Sequence, residues 1–349
     1  MKNLMNRRIL LVAGVCGVAM LHCPAYGEPV RHYSSGGQVK VNVSIRDNLI
    51  DTIFHIGKGK KYFKKEGLDV RLVPMKGEKT TAFNALVNGT VDVTMLIFSV
   101  NNIGPMRESG VRIVAGCTGI VKGKPGYQYY LVRKDLAGGI KTFAALKGRN
   151  VAIPSAGTMI HIRLMRELDK AGLSENDFTG RFIPGNLLPA MFVGKAIDVG
   201  ILEEPLAGRV IRKGLAEVFA GSDISDETAP LAMLYYSGRF MRNKQAARGF
   251  MTAYLRSVRE FYRATPKEIS DIVNKTWGMS IDADVLYRLH AIADGKIDAQ
   301  SLMSAQEYAL KKGWIKTKAD EKYIVDSSYI RYANEVLKNE DRAREKARR

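Results

Sequence analysis

Two short stretches of this chain carry residue types that readily hold a small polar molecule. Ser155-Ala156-Gly157-Thr158 follows an apolar run, Val151 to Ile153, and opens an amphipathic stretch, Met159 to Lys170. At a strand-to-helix turn of this kind, free backbone N–H groups and the helix dipole favour a carboxylate, sulfonate or phosphate. The same residues also read as an ordinary helix cap through Ser155 or Thr158. Glu203-Glu204 ends another apolar run, Val199 to Leu202. Two carboxylates at a strand end suit an amine, an amidine or a hydroxyl-rich ligand, because a buried charge without a partner is costly. The alternative is that Glu204 bonds nearby backbone and Glu203 is solvated.

In an open α/β sheet, ligands sit beyond the carboxyl ends of the strands. That rule adds Asn48 to Asp51, Gly77 to Thr80, Ser99 with Asn101, and Gly185-Asn186. The expected ligand-binding set is Asn48, Asp51, Glu78, Lys79, Ser99, Ser155, Ala156, Gly157, Thr158, Asn186, Glu203 and Glu204. Arg46 and Lys79 can balance an anion, and Phe98, Tyr127, Tyr129 and Tyr235 either wall a cleft or pack in a core. Asp92 and Asp198 recur at equivalent places; local hydrogen bonds in a helix–strand turn explain them without a ligand. His55 sits among apolar neighbours in a predicted helix and reads as a packed or half-exposed histidine rather than a ligand contact. There is no nucleophile–base pair and no Cys/His cluster with metal-ligand spacing. No catalytic residue, metal or cofactor is therefore expected.

The elements that position these loops come in two sets. Ala85-Leu-Val-Asn-Gly89-Thr-Val-Asp92-Val93 is answered by Ala190-Met-Phe-Val-Gly194-Lys-Ala-Ile-Asp198-Val199. Each reads as the end of an apolar helix, a Gly stop and a buried strand opened by Asp. Gly to Asp is three residues in the first copy and four in the second. Val39 to Ile45, Leu68 to Pro74 and Val91 to Phe98 are predicted strands, separated by helices over 52–65 and 81–87. Such βαβαβ runs build parallel sheets. Val111 to Ala115 is a further strand. Tyr127 to Val132 and Leu231 to Tyr236 flank the second set and read as crossings between lobes. After Tyr236 the chain is mostly helical and is expected to return to the first lobe. The fold class is α/β, with two lobes: 38–126 with 237–349, and 127–236. Two similar lobes in one chain commonly hold a ligand between them.

Lys2, Arg7 and Arg8 lead into the apolar run Ile9 to Leu21, too short to span a membrane comfortably. Ala25-Tyr26-Gly27 places small residues at −3 and −1 of a cleavage point before Glu28, which predicts a signal peptide over 1–27 and a periplasmic location. Cleavage would lower the formal charge from +19 to +16 and leave Cys117 as the single cysteine. One thiol makes no internal disulfide, so the mature chain of about 320 residues must be held by its core. Its basic residues are spread among acids rather than gathered into an aromatic-interleaved block, which argues against nucleic acid.

Beyond the doubled phrase, Tyr62-Phe-Lys-Lys-Glu-Gly67-Leu-Asp-Val70, Leu146-Lys-Gly-Arg-Asn-Val151-Ala-Ile-Pro154, Ala171-Gly-Leu173 and Glu204-Pro205 occur in order. Together they resemble the periplasmic substrate-binding proteins of ABC importers for nitrate, sulfonates, taurine and thiamine-pyrimidine precursors. The resemblance implies a type II binding-protein fold, two lobes joined by two crossing strands and closing on one small molecule. It also implies a monomer that delivers its ligand to a membrane permease with a cytoplasmic ATPase. The ligand would be a sulfonate, carboxylate, zwitterion or pyrimidine-like compound. Departures are Lys61, where the family usually has Gly before Tyr-Phe, the longer second Gly-to-Asp spacing, and Glu203, where an aromatic residue often precedes Glu-Pro. A periplasmic sensor subunit or a biosynthetic enzyme on the same scaffold is the alternative function.

Overall fold

The computed structural model describes residues 37–46, 48–75, 79–121, 124–224, 230–278, 281 and 283–348. The expected signal peptide, its cleavage point and Glu78 lie outside the described residues. Ten strands form two five-stranded sheets. They are β1 (Val39–Ile45), β2 (Leu68–Pro74), β3 (Val93–Ile97), β4 (Arg112–Gly119), β5 (Gln128–Arg133), β6 (Asn150–Ile153), β7 (Thr179–Phe182), β8 (Val199–Glu203), β9 (Ala216–Gly221) and β10 (Pro230–Tyr236). The sheet orders are β2-β1-β3-β10-β4 and β7-β6-β8-β5-β9.

The two sheets repeat one design. In each, three parallel strands are followed by one antiparallel strand and an edge strand: β10 pairs antiparallel with β3 and β4, and β5 with β8 and β9. The sheets are thus mixed rather than wholly parallel. β10 belongs to the first sheet, although sequence reading placed it at the end of the second lobe. Its long apolar run fits a central strand, with Met233, Leu234, Tyr235 and Tyr236 all buried. β7 and β9 were not expected at all. All four residues of β7 are exposed, and β9 shows no clean alternation of burial, so neither gives a two-residue period.

The doubled phrase has a structural meaning. Asp92 accepts the Asn42 N–H (2.9 Å) and Arg239 (3.0 Å), while Asp198 accepts the Asn150 N–H (2.9 Å) and Arg133 (3.0 Å). Each aspartate ties the start of its strand to the parallel strand beside it, β1 for β3 and β6 for β8. These bonds are not the local turn bonds expected from sequence. The spacing difference also resolves. Gly89 takes a left-handed φ of 74°, but in the second copy Lys195, not Gly194, takes it, at 54°. Counted from the left-handed residue, Asp lies three positions on in both copies. Lys61 likewise adopts φ 60°, where the resemblance expects Gly, and it splits the expected helix into Thr52–Gly59 and Tyr62–Lys65.

The tail does more than return to the first lobe. The helices Lys244–Arg263 and Ser328–Arg348 pack there. The helix Ala299–Lys311, by contrast, lies on Met159–Lys170 of the second lobe. Arg166 donates to Ser304 Oγ (2.8 Å), and Tyr308 (2.6 Å) and Lys312 (2.8 Å) both reach Asp169. Among the described residues, no helix is long and apolar enough to cross a membrane.

Candidate ligand-binding cleft

The loops at the carboxyl ends of the central strands bring the two lobes together, and two of the contacts between lobes bear on the expected site. At the first, the loop after β1 meets the end of β8 through side chains. Asn48 Nδ2 donates to Glu203 Oε2 (2.6 Å), and Gln128 Nε2 donates to Glu203 Oε1 (3.3 Å). Asn48 is held because its own Oδ1 accepts the Ile50 N–H as a cap (3.1 Å). Arg46 leaves the same strand. Its Nη2 donates to the Met95 carbonyl (2.6 Å), and its buried Nε has no hydrogen-bond partner among the described residues. Tyr127, with its hydroxyl on Thr118 Oγ1 (3.1 Å), lies within the field of both Glu203 and Arg46. Burial first, and then Glu203, push its phenol far above the usual range. A cation, a carboxylate, two amides and a phenol therefore share one corner of the cleft.

At the second place the contact is backbone to backbone. Ser99 and Thr158 form an antiparallel bridge, with Val100 N–H donating to the Gly157 carbonyl (3.0 Å) and Met159 N–H to the Phe98 carbonyl (2.9 Å). Ser99 Oγ (3.4 Å) and Asn101 Nδ2 (3.2 Å) both donate to the Ala156 carbonyl. Gly157 has φ 66°, and a Cβ there would meet Asn101 Nδ2 at 2.8 Å, so the turn and the close approach both require glycine.

This arrangement changes the reading of the Ser155–Thr158 turn. Thr158 is 4% exposed. Its hydroxyl accepts the His161 N–H (3.3 Å) as an N-cap and donates to the Ser155 carbonyl (3.0 Å). Gly157 N–H donates to His161 Nδ1 (3.2 Å). Three of the donors expected to be free, those of Gly157, Met159 and His161, are thus engaged, one of them by the opposite lobe. The two glutamates also part company. Glu203 faces the first lobe, whereas Glu204 is buried and braces a turn. Glu204 Oε2 accepts the Gly208 N–H (2.9 Å), Oε1 lies 3.5 Å from Arg288, and its N–H donates to the Tyr127 carbonyl (2.7 Å).

Of the remaining expected residues, Asp51 is buried and accepts the Arg46 N–H (2.7 Å), positioning that arginine. Asn186 is exposed beyond β7, and Lys79 opens the helix Lys79–Val87. His55 is packed away from the cleft, stacked on Trp277 at 4.7 Å, and burial lowers its pKa to about 4. Cys117 is buried, and burial pushes its thiol well up, which removes it as a nucleophile. Among the described residues no group of three or more His, Cys, Asp or Glu could hold a metal ion. Sequence reading missed Gln128 and Arg288. Gln128 is buried at the start of β5, and an amide opening an otherwise apolar, aromatic strand is the signal that would have found it.

Residues 51–269 match the family described as NMT1/THI5 like. The chain belongs to that family. Solved structures of the same fold include three with close overall overlap. One is the ligand-binding component of an ABC-type import system from Staphylococcus aureus, with zinc bound: 15% identical, 85% of this chain and 99% of that one, TM-score 0.69. A second is the periplasmic aliphatic sulphonate binding protein of Escherichia coli: 17% identical, 82% and 92%, TM-score 0.65. The third is the periplasmic nitrate-binding protein of Synechocystis PCC 6803: 14% identical, 86% and 89%, TM-score 0.69. No curated protein matches the sequence. For this NMT1/THI5-like chain, the solved structures establish the two-lobed periplasmic binding protein fold.

Proposed function

We propose that this NMT1/THI5-like protein is the extracytoplasmic solute-binding subunit of an ABC importer. It captures a small polar organic molecule between its lobes and hands it to a membrane permease driven by a cytoplasmic ATPase. The observation that carries the reading is the corner formed by Arg46, Asn48, Gln128 and Glu203, contributed by both lobes. Arg46 offers a buried donor to an acid group, and Glu203 offers acceptors to an amine or hydroxyl. A zwitterion or polar heterocycle carries both kinds of group; nitrate carries only one. These groups bind and orient through hydrogen bonds, and none pairs a nucleophile with a base, which favours binding over catalysis. The signal-peptide pattern of Lys2 to Gly27 supports export and work in the periplasm.

A thermal-shift screen across amino acids, alkanesulfonates, aromatic acids and pyrimidines tests this. A true ligand at a hundred times its Kd adds about 2.7 kcal/mol of stability. Protein recovered from the periplasm should begin at Glu28. A chain that keeps residues 1–27 and stays in the cytoplasm would overturn the export part. A stable, folded protein that no class of solute stabilises would overturn the binding part.

A further inference from the structure

A second cavity, of about 370 Å³, lies outside the corner just described. Neither Asn48, Gln128 nor Glu203 lines it. Its floor is Ile153 and Gly180 on neighbouring strands, one wall is the helix Met159–Lys170, and Trp314 of the tail closes the far side. Cavities of this size accept a compact ligand of one or two rings.

The walls are aromatic and flat. Trp314 and His161 stack at 4.3 Å with their planes 8° apart, and Phe182 meets His161 edge-on at 5.2 Å. Trp314 is fixed because its Nε1–H donates to Glu175 (3.0 Å). Phe182 is 55% exposed, on a strand with no buried residue, and it borders the cavity. A large aromatic side chain left in water beside an aromatic slot is apolar surface waiting to be covered. Gly180 keeps the floor open: a Cβ there would meet Phe178 at 3.1 Å and Ile153 at 3.6 Å. Among the described residues, Glu175 is the one ionisable carboxylate on the lining and is already held by Trp314, and no arginine or lysine lines the cavity. His161 is buried, and burial lowers its pKa to about 4, so its ring is neutral at ordinary pH. The lip is formed by Asn101 of the first lobe and by Ala156 and Gly157 of the second, the residues that join the lobes.

We propose that this cavity is a second ligand site, taking a flat, uncharged aromatic molecule of one or two rings that lies against Phe182 and the Trp314–His161 stack. Because its lip belongs to both lobes, an occupant favours the closed arrangement. The proposal does not depend on the importer reading.

Fluorine NMR with 4-fluorophenol tests it. Wild-type protein should broaden the probe signal with a dissociation constant of about 1 mM or tighter, as fits a ligand with so few atoms. Gly180→Leu fills the floor and should weaken binding at least about tenfold, and so should Phe182→Ala, which truncates the exposed wall. Phe182 is on the surface, so that variant decides the matter if Gly180→Leu does not fold. Glu203→Gln, in the cleft corner, should leave the affinity within about twofold. The proposal is overturned if wild-type protein leaves 4-fluorophenol unbound at roughly 10 mM. Wild-type affinity in Phe182→Ala overturns it too. So does loss of binding in Glu203→Gln, which would move the probe to the cleft.

Discussion

At the scale of single residues, adjacent side chains of one type take different work from their partners. Glu203 is held by two amides, Gln128 of the neighbouring strand β5 and Asn48 of the opposite lobe. Glu204 fixes the turn after β8 through Gly208 and Tyr127. Glu204→Gln should therefore lower unfolding free energy by about 1–3 kcal/mol, the cost of weakening buried hydrogen bonds to a charged group. Ligand affinity should change little; denaturant melts and titration of the same sample check both. Two histidines carry a second prediction. His55 and His161 are buried with pKa values lowered to about 4, mainly by burial. The unfolded chain binds their protons near pH 6.5, whereas the folded chain does not. Their stability contribution is complete above pH 6.5 and is lost as pH falls towards 4. At pH 5 each should cost about 2 kcal/mol relative to pH 7. Urea melts at the two pH values measure this, and a His55→Gln, His161→Gln double variant should show a flatter dependence. Of these roles, the packing of His55 and the bond of Glu204 to nearby backbone were each one of the readings open in sequence. Glu204 meets Arg288, and His161 meets Trp314, only through the tertiary fold.

At the scale of elements, the strands with apolar runs and the helix Met159–Lys170 were legible because periodicity is a local property. Pairing order was not. β10 and β5 insert antiparallel between strands distant in sequence, and nothing in their residues states which neighbours they take. β7 and β9 escaped because their partners, rather than their own pattern, make them strands. The left-handed turns show the opposite case, in which geometry explains a sequence oddity. Lys195 occupies a conformation that costs a residue with a Cβ about 1–2 kcal/mol, partly offset by the backbone entropy a glycine would lose. Its ion pair with Asp135, at 3.6 Å, is exposed and contributes little. Lys195→Gly should thus stabilise the protein by up to about 1 kcal/mol, seen as a melting temperature higher by roughly 2–4 °C. A lower melting temperature would show that the turn is not strained.

At the scale of the whole molecule, the doubled α/β unit was legible as two similar sheets with flanking helices, and the exit-loop rule selected residues from both of them. What the rule could not supply was which loops engage each other. The Ser155–Thr158 turn meets backbone of the first lobe, so one expected anion donor, the Met159 N–H, joins lobe to lobe, and those of Gly157 and His161 are engaged within the second lobe. The tail helix Ala299–Lys311 is tied to the second lobe as well, so opening must either carry that helix along or break its bonds to Asp169 and Arg166. A polar solute held between the lobes by the Glu203 corner loses a charged partner in Glu203→Gln. Calorimetric titration of wild type and that variant, with the solute that most raises the melting temperature, should show a loss of about 2–5 kcal/mol in binding free energy where a cationic group of the solute meets Glu203. Wild-type affinity in Glu203→Gln would mean that the corner does not hold the solute.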